Sequence, residues 1–159
     1  MVSSSTDQAA ELASWRDFLF DAASEVFSMM VGAELAPAAD SQVSDGTHIT
    51  GTVGIAGAVR AVFSLRCSME AANLVASRML GVPVEDAAAH NCDAIGEVCN
   101  MVAGQFKTKI GLEASCLLTV PSVITGRDYQ VHSPAHGKRI QVPALFEGQM
   151  VSLALDIPK

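Results

Sequence analysis

Asp93-Ala94-Ile95-Gly96-Glu97-Val98-Cys99-Asn100-Met101-Val102-Ala103-Gly104-Gln105-Phe106 reads as a helix with two unlike faces. Ile95, Val98, Cys99, Val102 and Phe106 recur at helical spacing and form a stripe that faces a core. Asp93, Glu97, Asn100 and Gly104 form a second stripe beside it, because residues three and four apart are neighbours on a helix surface. A carboxylate and a carboxamide one turn apart, with Gly96, Ala103 and Gly104 around them, make an unusual helix face. Glycine inside a helix costs about 1 kcal/mol relative to alanine. Two of them imply that something approaches this backbone closely, either a neighbouring element or another protein.

Outward from this stretch, the helix is expected to start near Asp86 and run to about Lys109, with Gly111 stopping it. Upstream, Ser68 suits the N-cap of a short helix that ends at Leu80, followed by Gly81 as C-cap and Pro83. Two strands precede that helix, His48–Ala56 and Ala58–Cys67, joined near Gly57. Gly51, Gly54 and Gly57 lack the spacing and the strand–turn–helix context of a dinucleotide-binding loop, so they read as close strand packing or bulges. A long first helix is expected over Asp7–Val31, with Leu12, Trp15, Leu19, Ala22, Ala23, Val26 and Met30 on its apolar face; Gly32 and Pro37 end it. Residues 38–46 read as loop. Downstream, Ser115–Thr125, Tyr129–His132, Arg139–Phe146 and Met150–Ile157 read as strands, the last two joined by a Glu147-Gly148 hairpin turn.

The chain also carries a weak internal repeat. Asp21-Ala-Ala-Ser-Glu25-Val-Phe-Ser28-Met29-Met-Val-Gly32 aligns with Asp93 to Gly104 at a constant offset of 72, and six of twelve positions are identical. Each copy is followed by β-structure. The expected fold is therefore α/β in the α+β sense: two long helices side by side plus a short helix, packed on a mainly antiparallel sheet, with an internal pseudo-twofold. The Ser-rich residues 1–6 are expected to be disordered and residues 7–159 to form one domain.

Half of the residues are hydrophobic and the mean hydropathy is +0.33, which fits a globular chain with a Val, Ile, Leu, Met and Ala core. The net charge of −7 argues against a nucleic-acid partner, which needs a basic surface. The first twenty residues contain Asp7, Glu11, Arg16 and Asp17 and make no secretory signal; the longest apolar region, Val53–Leu65, is too broken by Gly and Arg60 to span a membrane. Cys67, Cys92, Cys99 and Cys116 form no C-x-x-C pair and read as reduced, mostly buried thiols of a cytoplasmic protein. His132 and His136 bracket Pro134, and with His48 and His90 they give no zinc spacing; they read as surface or loop histidines. Met29, Met30, Met69 and Met79 read as core filler, and Lys107, Lys109 and Arg127 as cations that solvate the helix end or meet an acidic partner.

Glu97-x-x-Asn100 within Ala-Ile-Gly-Glu-Val-Cys-Asn-Met-Val-Ala-Gly-Gln-Phe-Lys resembles the active-site helix of the CheX branch of the CheC/CheX/FliY chemotaxis phosphatases. The family pattern is Asp or Ser, three residues, Glu, two residues, Asn, and a Pro a little over twenty residues on. Asp93, Glu97 and Asn100 match it, and Pro121 stands about where the Pro should, after a slightly shorter interval. The likeness runs from about Phe18 to the C-terminus and includes Glu-Val-Phe-Ser-Met-Met, Gly-Thr-Val-Gly-Ile-Ala-Gly and Ala-Ser-Arg-Met-Leu-Gly. Ser28 replaces the Asn in the first copy, so a single working site is expected, an arrangement that resembles CheX more than the two-site CheC proteins.

The resemblance implies hydrolysis of the aspartyl phosphate of a CheY-like response regulator. Such a regulator brings its own phosphoryl group, Mg ion and Lys, so this chain would need no cofactor and no metal site. What is missing is a positioned water, and a carboxamide, with donor and acceptor on one rigid group, can orient one. In this reading Asn100 orients the water and Glu97 docks on the regulator Lys. Asp93 and Gly104 are the partner-facing positions of the same stripe. Relatives pair into dimers, so a homodimer, through an exposed sheet edge, is expected. The bland alternative is that the stripe is a solvated helix face. A functional alternative is a non-catalytic module that binds a regulator or a flagellar-switch partner, and a third is a structural dimer.

Overall fold

The computed structural model describes residues 5–39, 46–132 and 137–159. In chain order they form α1 (Ser5–Val26), a π turn (Phe27–Val31), β1 (Leu35–Pro37), β2 (His48–Gly57), β3 (Ala61–Ser68), α2 (Met69–Leu80) and α3 (Val84–Ala87). A 3₁₀ turn (Ala88–His90) leads into α4 (Asn91–Lys109), followed by β4 (Cys116–Leu118), β5 (Ser122–Gly126), β6 (Lys138–Phe146) and β7 (Gln149–Ile157). Every strand pairing is antiparallel, in the order β1-β6-β7-β3-β2-β4, with β5 also on β2.

That order is a palindrome of the two halves. In each half a long helix leads to a short edge strand and then to a hairpin: α1, β1, β2–β3, and α4, β4–β5, β6–β7. The two hairpins meet at the centre, where Leu65 pairs with Leu153. Each short strand crosses to the other half's hairpin, β1 to β6 and β4–β5 to β2. The repeat of Asp21–Gly32 in Asp93–Gly104 is thus expressed in the topology.

The core lies between the sheet and the helices. Ile49, Val53, Phe63, Leu65, Leu153 and Leu155 supply the strand side, and Leu19, Val26, Ile95, Val98, Val102 and Phe106 the helix side, all fully buried. Two edge-to-face aromatic pairs, Trp15–Phe106 at 5.8 Å and Phe27–Phe146 at 5.4 Å, pack each long helix into this layer. Ser68 caps α2 by accepting from the Ala71 N–H, and Gly81 closes it in the left-handed region at φ 67°. The β6–β7 turn has Glu147 and Gly148 both at positive φ, as a two-residue hairpin with right-twisted strands requires.

Several expectations need correction. Ser5 and Thr6 belong to α1 and are not a disordered tail; residues 1–4 lie outside the described residues, as do 40–45 of the expected loop and His136. The first helix leaves α geometry at Phe27. Leu35–Pro37, where the sequence suggests only a helix stop at Pro37, is a paired strand. The helix expected from Asp86 is interrupted by the 3₁₀ turn, because His90 sits at φ −110°, ψ 9°. Tyr129–His132 forms no strand; the Tyr129 hydroxyl shares a 2.7 Å hydrogen bond with Thr50 Oγ1, and its carbonyl accepts from Arg66. His48 is buried in β2 with Nδ1 3.4 Å from Arg66. Met29 and Met30 are exposed, whereas Met79 packs on the core. No helix among the described residues is long and apolar enough to cross a membrane, and none of their His, Cys, Asp and Glu side chains form a metal-ligating group of three.

Candidate active site

The site is built on α4. Its apolar stripe (Ile95, Val98, Cys99, Val102, Phe106) is fully buried, which turns the second stripe outward. Both ends of the helix are tethered. Asn91 Nδ2 donates to Asn73 Oδ1 on α2 at 2.8 Å, and Lys107 Nζ donates to the Cys116 carbonyl on β4 at 2.6 Å. Lys107, Lys109 and Arg127 all have partners within the chain, in Cys116, Glu25 and Thr47.

The Gly-rich β2 lets α4 and the β4–β5 edge approach it closely. A Cβ at Gly51 would fall 2.5 Å from Cys99 Sγ and 3.1 Å from Ile95 Cγ2. At Gly54 it would fall 2.9 Å from Thr119 Cγ2, and at Gly57, already at φ 139°, it would run into the Ser115 carbonyl. The glycines therefore seat the helix one residue before Asn100 and the strand edge that faces it.

That edge is interrupted. β4 pairs with β2 as Ile55 with Leu118, and β5 as Thr52 with Ser122. Two residues of β2, Val53 and Gly54, thus face three, Thr119, Val120 and Pro121: a β-bulge. Thr119 is clasped to Gly54 twice, its N–H donating to the Gly54 carbonyl at 2.9 Å and its Oγ1 accepting from the Gly54 N–H at 2.8 Å. Pro121 has no N–H for the ladder, which suits a bulge. The expected single strand Ser115–Thr125 is split here for that reason.

Between helix and bulge lies an open groove of about 750 Å³. Asp93, Gly96, Glu97 and Asn100 line one wall, with Cys92 at the helix start, and Leu118–Pro121 with Val123 line the other. Gly96 forms the buried floor: a Cβ there would meet Val123 Cγ2 at 3.6 Å and Pro121 Cβ at 3.7 Å. The close approach suggested by this glycine is thus made by a neighbouring element. Asp93 and Glu97 are exposed and Asn100 is half-buried, and none of the three has a hydrogen-bond or ion-pair partner among the described residues. Gly104 falls one turn beyond the groove, with Leu118 Cδ1 4.0 Å from its Cβ position. The groove brings together Asp93, Glu97, Asn100 and Pro121, and adds Thr119 and Val120, which nothing in the sequence singled out. Two carboxylates and a carboxamide, all free, can hold a cationic group and a water.

The buried thiols belong to the scaffold. Burial pushes the Cys67 thiol from 9.0 up to about 12, and burial with the neighbouring Cys67 pushes Cys99 further still. All four cysteines are free; Cys116 is also buried and Cys92 exposed.

The sequence matches the family described as chemotaxis phosphatase CheX over residues 49–145. No curated protein matches it significantly. Among solved structures, it is similar to a chemotaxis protein CheX from Desulfovibrio desulfuricans, with TM-score 0.77 and 23% identity over 91% of this chain and 99% of that one. A CheX-CheY-BeF3-Mg complex from Borrelia burgdorferi matches with TM-score 0.73 and 23% identity over 91% of this chain and 98% of the other. FliY of Thermotoga maritima matches with TM-score 0.68 and 14% identity over 99% and 92%. At these identities the structural likeness shows the fold, which is of the CheC/CheX type.

Proposed function

The chain belongs to the CheX family of chemotaxis phosphatases, and from that premise we propose that it hydrolyses the aspartyl phosphate of a CheY-like response regulator. The observation that carries this reading is the groove in which Glu97 and Asn100 stand free, one turn apart, against the Pro121 wall. Glu97 takes the regulator Lys and fixes the docked register. Asn100 holds water in line with the acyl phosphate. Water attacks phosphorus, the bond from phosphorus to the aspartyl oxygen breaks, and the products are the free carboxylate and inorganic phosphate. Positioning dominates the catalysis of phosphoryl transfer, so a carboxamide suffices without acting as a base. The phosphoryl group and its Mg ion arrive with the regulator. Asp93 extends the acidic side of the contact, and Gly104 leaves the next turn low enough for a partner to pass over it.

A cytoplasmic homodimer completes the proposal. The free sides of β1 and of β4–β5 are the two sheet edges through which copies would pair, and sedimentation at several concentrations reads the state directly.

The test is the decay of phosphorylated receiver domains with a substoichiometric amount of this protein. Multiple-turnover acceleration is expected, lost in Glu97→Ala and reduced roughly hundredfold in Asn100→Ala. Binding without acceleration for every receiver tried would move the protein to the docking-module reading.

A further inference from the structure

We infer that Val120, the extra residue of the β4–β5 bulge, is the apolar anchor through which the groove selects its regulator. The inference rests on the phosphatase reading of the same groove and names a contact outside the Glu97–Asn100 pair. Val120 lines the groove, yet 86% of it is exposed. A single exposed valine on a mobile loop would carry no meaning. This one is held. The double clasp of Thr119 to Gly54 fixes the residue before it, and Pro121, packed toward Gly96, fixes the residue after it. The ordering that an interface contact normally costs is already met in the free protein.

The occupant follows from the opposite wall. Asp93 and Glu97 are carboxylates and no cation among the described residues lines the groove, so the partner must bring positive charge to α4. A receiver whose Lys reaches Glu97 and whose phosphoryl group reaches Asn100 lies across the groove and comes down on the bulge. Val120 then meets the surface flanking the phosphorylation site, and a receiver with an apolar side chain there is preferred over one with a charge.

The experiment measures both the Kd for a receiver activated with beryllofluoride and the KM and kcat for decay of the phosphorylated receiver. Wild type, Val120→Ala, Val120→Asp, Val120→Leu and Asn100→Ala are compared. Removing two methyl groups from a buried contact weakens it about tenfold. Val120→Ala is therefore expected to raise Kd and KM together by about tenfold, Val120→Asp by more, and Val120→Leu to retain affinity, all with kcat unchanged. Unchanged Kd and KM in Val120→Asp overturn the inference, as does a fall in kcat alone, which would make Val120 a structural support. A wild-type protein that binds but does not accelerate decay refutes the phosphatase reading, while weaker binding in Val120→Asp still upholds the anchor. A wild-type protein that neither binds nor acts overturns both.

Discussion

Glu25 and Glu97 hold equivalent places in the two halves of the fold, but only one of them is free. Both sit on a long helix beside a pocket: about 750 Å³ at Glu97 and about 530 Å³ at Glu25, where Ser24, Ser28, Met29, Glu34, Leu35 and Gln105 complete the lining. Glu25 is bound to Lys109 at 2.7 Å, a cation supplied by the last turn of α4. Ser28 stands where the other half has Asn100 and lines the pocket with a hydroxyl in place of a carboxamide. The backbone differs as well: Phe27–Val31 is a π turn that closes at Gly32 in the left-handed region, whereas α4 continues regularly past Gly104. The same scaffold thus carries a free acid–amide pair on one side and a neutralised acid with a truncated partner on the other. Shape alone does not make the site.

The largest effect that would break this comparison is on turnover. Asn100→Ala is expected to lower stimulated dephosphorylation roughly hundredfold while leaving binding intact, since misplacing an attacking group by about 1 Å costs that much. Ser28→Ala should leave the rate unchanged. Equal losses in single-turnover decay assays would mean that the halves share the chemistry.

Next comes the support beneath the Asn100 half. Gly54→Ala pushes on Thr119 and is expected to cost about 1–3 kcal/mol of stability, as overpacking does, and to lower activity through the displaced bulge. Gly104→Ala, whose Cβ would meet Leu118 Cδ1 at an ordinary 4.0 Å contact, should instead stabilise α4 by about 0.5–1 kcal/mol. Urea titrations of the two variants separate a glycine that packing requires from one that packing tolerates.

The residues beneath the two helices also differ, Phe27 on one side and Cys99 on the other. Cys99 and Cys67 have thiols raised above their unfolded value of 9.0. Their contribution to stability is complete below pH 9, where the unfolded chain also keeps its thiols protonated. It is lost as pH rises from 9 toward 12, because the unfolded state releases those protons first. Denaturation midpoints should fall over that range in wild type and fall less in a Cys67→Ala/Cys99→Ala variant. Below pH 9, a thiol reagent should modify Cys92 ahead of the three buried cysteines.

What the sequence revealed and what it hid divide along the same lines. Helical periodicity exposed α4 and its two faces, because five apolar residues on one stripe leave few alternatives. The duplication exposed the paired halves. Ser68 and Gly81 announced α2 by local chemistry that needs no tertiary partner. By contrast, β1 is three residues long and exists only because β6 accepts it, and the bulge arises from a register shift between two strands, which no local pattern encodes. The π turn follows the same rule. The stripe of Glu97 and Asn100 was legible through its spacing, and the structure brings both to one groove, whereas Thr119 and Val120 join its lining only once Gly54 is seen across the strand.

The smallest expected effect concerns the Glu25 half. Lys109→Ala releases Glu25, and because this ion pair is partly exposed its loss should cost less than about 1 kcal/mol. Freeing the acid does not supply a water-holding group, so turnover in an Asn100→Ala background should stay at its reduced level. Adding Ser28→Asn tests the backbone. If side-chain identity alone silences this half, the combination Lys109→Ala/Ser28→Asn restores part of the lost activity. The π turn argues that it will not, since residue 28 leaves regular helix geometry three residues after Glu25 and the carboxamide would project out of register with the acid. Assaying that triple variant against Asn100→Ala decides whether side chains or backbone set the two halves apart, and no recovery is the expected result.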